Sequence, residues 1–170
     1  MNGLARAIGS SAALMGLAML VGCSNPKPLY VDGAYVRLNP NPDNPAVGYF
    51  TVHGGEAAVT LRSIETDAAV RLEMHESMTQ GGMASMKPLD SVDIPARSTV
   101  AFAPGGKHLM VWTVNPQAIA AGKIELKMIF SNGDRILVDA VIQSPDGKAT
   151  GNERNAPTAG TTEETTTEVR

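Results

Sequence analysis

The chain has 170 residues, with 14 Lys and Arg against 17 Asp and Glu and a net charge of −3. It carries no polybasic stretch, which argues against a nucleic-acid partner, since such binding rests on clustered cations that neutralise phosphates. One cysteine in the whole sequence excludes an intramolecular disulfide.

In chain order, the first feature is a leader. Arg6 precedes an apolar run from Ala7 to Val21 that has the shape of a secretory signal over residues 1–22. The run holds about 15 residues where a membrane span needs about 20, and it is rich in Gly, Ala and Ser, which disfavours a transmembrane anchor. Leu20-Val21-Gly22-Cys23 resembles the lipobox of bacterial lipoproteins, in which the cysteine becomes the lipidated first residue of the mature chain. A free thiol in an oxidising compartment is a liability, and lipidation of Cys23 removes it. The resemblance implies a lipid anchor in the membrane on the periplasmic side of the cell envelope. Ser24 then favours the outer membrane in a cell that has one. Residues 23–28, with Pro26 and Pro28, read as a linker.

From Leu29 the pattern is β. Val70-Arg71-Leu72-Glu73-Met74 and Ile124-Glu125-Leu126-Lys127-Met128 alternate apolar and polar residues, as half-buried antiparallel strands do. Tyr30–Leu38, Val47–Val52, Val59–Glu65, Thr99–Phe102, Lys107–Val114 and Arg135–Ile142 are further strand candidates. Asn39–Pro45, Gly54-Gly55, Gly81-Gly82, Pro104–Gly106 and Asn132–Asp134 punctuate them as turns. The Asn132-Gly133 pair predicts a hairpin. Asn115–Gly122 is the one short helix, with Pro116 near its start and Gly122 at its end. About seven to nine short strands predict a single all-β domain, a β-sandwich over residues 29–143. Residues 144–170, which end in a Thr/Glu-rich tail, have almost no large apolar residue to offset their ordering entropy and are expected to be disordered.

The soft ligands are unevenly placed. Met74, Met78, Met83 and Met86 crowd around His75, while Met110 stands two places after His108. On a strand, residues two apart share a face with Cα atoms about 6–7 Å apart, so the His108 imidazole and Met110 thioether can converge on one ion. The competing reading makes Met110 and Trp112 core residues and His108 a polar residue at a strand start. If the 70–76 strand alternates, His75 lies opposite Val70, Leu72 and Met74, on the side of Arg71 and Glu73. A reversal at Gly81-Gly82 brings Met86 back alongside it. Taken singly, these are equally an exposed histidine and methionines in an adaptable loop.

Taken together, His75, ten intervening residues, Met86, twenty-one intervening residues, His108, one residue and Met110 reproduce the motif of the periplasmic copper chaperones called PCuAC. The chain resembles that family over roughly residues 30–143, including Gly48-Tyr49-Phe50, Leu72–Glu76, Pro104–Met110 and Ile124–Phe130. The resemblance implies a cupredoxin-like Greek-key fold and a Cu(I) site made by His75, Met86, His108 and Met110. It further implies a monomer that delivers copper to an accepting protein, either a cytochrome c oxidase subunit or another copper chaperone. The chain departs from the simplest family pattern in its lipobox, in a tail without His and Met enrichment, and in Glu76 following His75.

Ligand chemistry points the same way. Neutral thioethers suit Cu(I), whereas zinc prefers thiolate, imidazole and carboxylate, and calcium and magnesium want oxygen. A blue-copper centre needs a cysteine thiolate, and Cys23 is assigned to lipid. The sequence contains no G-x-S-x-G, H-E-x-x-H or glycine-rich phosphate loop, so an enzyme is not expected. The alternative function is an envelope copper buffer that sequesters Cu(I) without delivery; a β-rich assembly module without metal is a third. Met83 is an auxiliary-ligand candidate, although a surface or gap-filling role suits it better, and Met78 is a weaker candidate. His53 reads as a satisfied structural histidine, Trp112 as packing near the site, and Met74 and Met128 as core.

Overall fold

The computed structural model describes residues 26–80 and 83–151, and excludes the side chains of residues 79, 80, 83 and 84. The leader, Cys23, Ser24, the Gly81-Gly82 turn, the Met83 side chain and the tail past Gly151 lie outside the described residues.

Among the described residues ten strands form: β1 (Tyr30–Arg37), β2 (Ala46–His53), β3 (Val59–Glu65), β4 (Ala69–Gln80), β5 (Met83–Leu89), β6 (Val92–Ile94), β7 (Thr99–Phe102), β8 (Lys107–Val114), β9 (Lys123–Phe130) and β10 (Arg135–Gln143). Alternation dictates most of them. In β9, Ile124, Leu126, Met128 and Phe130 are buried, while Lys123 and Glu125 face water. The strands join in one sheet in the order β5-β4-β8-β7-β2-β1-β10-β9-β3-β6, with β8 also pairing to β2. The first and last strands lie side by side and parallel, Tyr35 opposite Val141.

The sheet folds over a single core. Phe50 and Val52 from β2, Leu109 and Val111 from β8, Leu61 from β3 and Ile142 from β10 belong to one buried cluster with the inward residues of β9. Phe50 stacks on Phe102 with ring centroids 4.1 Å apart. Met74 and Met128 join this core, as the sequence predicts.

Two of the ten strands escape the sequence pattern. Met83–Leu89 contains Pro88 and no β-branched or aromatic residue, so its extended conformation comes from pairing with β4. It sits at the sheet edge, where proline is tolerated. β6 has only three residues and edges the other end. Val70, expected to face the core with Leu72 and Met74, is instead 78% exposed. At this end of β4 it is Ala69, opposite Val114, that packs against the core.

α1 (Pro116–Ala121) forms between β8 and β9 with the signals the sequence carries. The Asn115 side chain accepts a hydrogen bond from the Gln117 N–H, Pro116 opens the helix, and Gly122 ends it at φ 74°. Residues 144–151, expected to be disordered, are folded back against this helix end. The Thr150 N–H donates to the Ile142 carbonyl at 2.7 Å, and the Ser144 N–H donates to the Lys148 carbonyl at 2.8 Å. Backbone hydrogen bonds order this turn without large apolar side chains, which is why composition missed it. The linker also ends early, because the Lys27 N–H donates to Glu56 Oε1 at 2.9 Å.

Gly122 joins these two features: a Cβ there would stand 2.0 Å from the Thr150 carbonyl oxygen, on a backbone already in the left-handed region. Gly122→Ala is expected to destabilise the domain by about 1–3 kcal/mol, the usual cost of such a backbone conformation in a non-glycine residue. Urea unfolding checks this as a lowered midpoint at constant slope; an unchanged midpoint contradicts the close approach.

Candidate metal centre

β4 and β8 run antiparallel in a register that sets His75 directly opposite His108 and Glu73 opposite Met110, with Arg71 opposite Trp112. On the other side of β4, Ser77 pairs with Met86 and His75 with Pro88. Residues opposite each other, and residues two apart on one strand, share a sheet face. His75, His108, Met110 and Met86 therefore belong to the same outer face, away from Met74, Leu109 and Val111, which enter the core. Opposite β-carbons lie about 5 Å apart and diagonal neighbours about 7–8 Å. That spacing brings Met110 and Met86 to either flank of His75.

The four side chains differ in depth. His108 is buried at 6% exposure, the His75 side chain is 16% exposed, and Met110 is half-buried. Met86 is 60% exposed. The register thus gathers all four backbones, while the Met86 side chain stands in solvent and must swing inward to meet the histidines. An unbranched thioether with three rotatable bonds can do so, and exposed rotamers exchange in picoseconds to nanoseconds.

The two imidazoles have ring centroids 6.0 Å apart, tilted by 36°. Each is held at one nitrogen. His108 Nδ1–H donates to the Gly106 carbonyl at 3.0 Å, leaving Nε2 with its lone pair. His75 Nε2–H donates to Glu73 Oε2 at 3.1 Å, and His75 Nδ1 is buried with no hydrogen-bond partner. One nitrogen anchored to a carboxylate or carbonyl and the other free as a donor atom is the pattern of metal-binding histidine.

Three neighbours complete the surface. Trp112 lies beside His75 with centroids 6.4 Å apart, near the site as the sequence predicts. The Arg71 guanidinium carbon stands 4.0 Å over the Trp112 ring, and Nη1 reaches Glu73 Oε1 at 3.3 Å. On the opposite face of the same two strands, Lys107 Nζ pairs with Glu76 Oε1 at 2.6 Å. Glu73 is the neighbour whose contact with His75 the sequence does not single out. Its spacing of two from His75 on a strand was the available signal.

Among the described residues no three His, Cys, Asp or Glu side chains cluster as a metal cage. Four candidate donors are reached only by counting thioether sulfur, a ligand that suits soft cations better than hard ones. His53 stands apart with both nitrogens engaged: Nε2 is 3.1 Å from Asp32 Oδ1, Nδ1 is 3.4 Å from Thr99 Oγ1, and the ring stacks on Tyr30 at 4.2 Å. Met78 is 43% exposed.

This architecture is that of PCuAC domains. The copper-bound PCuAC domain from PmoF2 aligns with a TM-score of 0.56 at 16% identity, covering 72% of this chain and 100% of that domain. The Cu(I) form of DR1885 from Deinococcus radiodurans aligns with a TM-score of 0.55 at 25% identity, over 70% of this chain and 80% of that one. The family model described as "Putative lipoprotein LpqE-like" matches residues 29–142, and the chain belongs to that family. "Putative lipoprotein Lxx21020" of Leifsonia xyli subsp. xyli (strain CTCB07) is 34% identical over 80 residues, 46% of this chain and 48% of that protein. The match thus spans about half the length of this curated relative.

Proposed function

We propose that the domain carries one Cu(I) ion, bound by His75, Met86, His108 and Met110, and delivers it to a copper-accepting protein of the cell envelope. The observation that supports this most directly is the β4–β8 register: two anchored imidazoles face each other, with a methionine on either flank of the same sheet face. The copper-bound PmoF2 domain and Cu(I)-bound DR1885 share the fold, which adds support from proteins of the same architecture. Two neutral imidazoles and two thioethers leave the ion's single positive charge in place. They stabilise Cu(I) without gripping it as thiolates do.

Delivery is ligand exchange without electron transfer. The exposed Met86 sulfur is the ligand that leaves first as an acceptor thiolate enters, and the deeper His108 is the last to let go. A copper-accepting subunit in cytochrome c oxidase assembly, or a second copper chaperone, is the acceptor that the resemblance to PCuAC proteins supports. Lipidation of Cys23 tethers the carrier on the periplasmic side of the envelope, at the outer membrane where Ser24 directs it there. The alternative is a buffer that keeps its copper; the exposure of Met86 favours exchange instead.

Anaerobic titration of the domain against a chromophoric Cu(I) chelator is expected to show one equivalent bound. His108→Ala and Met110→Ala are each expected to lower affinity at least about tenfold, the loss seen even for outer-sphere changes at metal sites. Met83→Ala is expected to do much less, and equal affinities in all three variants contradict the ligand assignment. Trp112 is the only tryptophan in the chain and lies beside His75, so its emission should change over the same single equivalent. Mixing the loaded domain with a reduced dithiol acceptor separates the two roles: copper moves from a carrier and stays with a buffer.

A further inference from the structure

The two histidines are held in opposite senses, and what holds them differs in kind. His108 is fixed by a backbone carbonyl, that of Gly106, which side-chain substitution at that residue cannot remove. His75 is fixed by one side chain, Glu73, placed two residues earlier on β4 and therefore on the same face. Glu73 is itself held: its second oxygen takes Arg71 Nη1 at 3.3 Å, and Arg71 lies over the face of Trp112 at 4.0 Å. Trp112, in turn, stands directly opposite Arg71 in the β4–β8 ladder. A chain of contacts therefore runs from an aromatic ring, through a guanidinium and a carboxylate, to an imidazole.

From this geometry we infer that Glu73 is a positioning residue, which sets His75 in the Nε2–H tautomer so that its buried Nδ1 is the metal-donor atom, with Arg71 and Trp112 holding Glu73 in place. A neutral imidazole has one N–H and one lone pair, and the partner of the N–H decides which nitrogen carries each. Nδ1 of His75 is buried with no hydrogen-bond partner, so a proton there would find no acceptor, while Nε2–H has a carboxylate at 3.1 Å. Both considerations select the same tautomer. The carboxylate acts in a second way as well: it lies next to a site whose four ligands are neutral, and it opposes the charge the ion brings. Arg71 tempers that effect by sharing the carboxylate.

The inference rests on the copper reading for its purpose, but the tautomer does not require metal to be measured. Long-range nitrogen–proton correlation spectra of the metal-free domain, recorded where both imidazoles are neutral, assign the protonated nitrogen of each ring. The wild-type domain is expected to show His75 as Nε2–H and His108 as Nδ1–H. In Glu73→Ala, His75 should lose its single tautomer while His108 keeps its own. Glu73→Gln retains an acceptor oxygen and should restore the His75 tautomer without restoring the charge. Arg71→Ala should leave the tautomer mixed to a lesser degree than Glu73→Ala.

Cu(I) affinity is expected to fall about 10- to 100-fold in Glu73→Ala, the range for loss of an outer-sphere partner, and to recover in part in Glu73→Gln. Glu73 is part-exposed on the outer face, and amide dispersion together with the unfolding midpoint verifies that each variant folds. A wild-type His75 found as Nδ1–H, or a His75 tautomer indifferent to Glu73→Ala, overturns the inference whatever the copper result. A domain that shows the expected tautomers yet binds no Cu(I) in the wild type instead overturns the copper reading and leaves the positioning role of Glu73 standing.

Discussion

Everything at the proposed metal centre depends on the register of one antiparallel pair, β4 against β8. In that register Leu72 and Met74 meet Val111 and Leu109 on the core side, while His75 meets His108 on the other. A slip of one residue would turn every side chain to the opposite face, burying His75 and putting Met74 in water. The hydrophobic core thus chooses the register, and the register assembles the site as a by-product. Leu109, fully buried between His108 and Met110, is the clearest case, since packing it inward points both of its neighbours outward.

The depth gradient across the four proposed ligands follows from where each lies in the sheet. β8 is flanked by β4 on one side and by β7 and β2 on the other, so His108 and Met110 stand among neighbours. β5 is an edge strand with a partner on one side only, and Met86 is correspondingly open to solvent. Such an arrangement suits a cargo that must be both held and surrendered. The interior half supplies a fixed geometry, and the edge half supplies the movable ligand. A closed cage of four buried side chains would bind more tightly and release more slowly.

The surroundings of the site also show how polar groups are satisfied on an outer sheet face. Glu73, Arg71 and Trp112 form a connected set there, while the Lys107–Glu76 pair closes one end of the β4–β8 ladder from the opposite face. His53, by contrast, spends both ring nitrogens on Asp32 and Thr99, with Tyr30 stacked above, and keeps no lone pair free for a metal. Two histidine environments in one small domain therefore differ in the respect that matters for ligation, a free and shielded nitrogen.

Period-two alternation is a local property, so the sequence alone determined the strands built on it: β3, β7 and β8 have the bounds it predicts, and Asn115, Pro116 and Gly122 delimit α1 by their own backbone and capping preferences. It also determined that His108 and Met110 share a face, and that His75 opposes the core residues of its strand. Only the tertiary structure decided that β5 is a strand at all, because Pro88 and the lack of β-branched residues hide an extended segment stabilised by its neighbour. It alone decided that His75 lies opposite His108, that Glu73 rather than water takes His75 Nε2–H, and that residues 144–151 fold back onto Gly122. The physical reason is range: side-chain alternation and caps are read within a few residues, whereas register, edge position and the partner of each imidazole nitrogen come from segments tens of residues apart that meet only when the core closes.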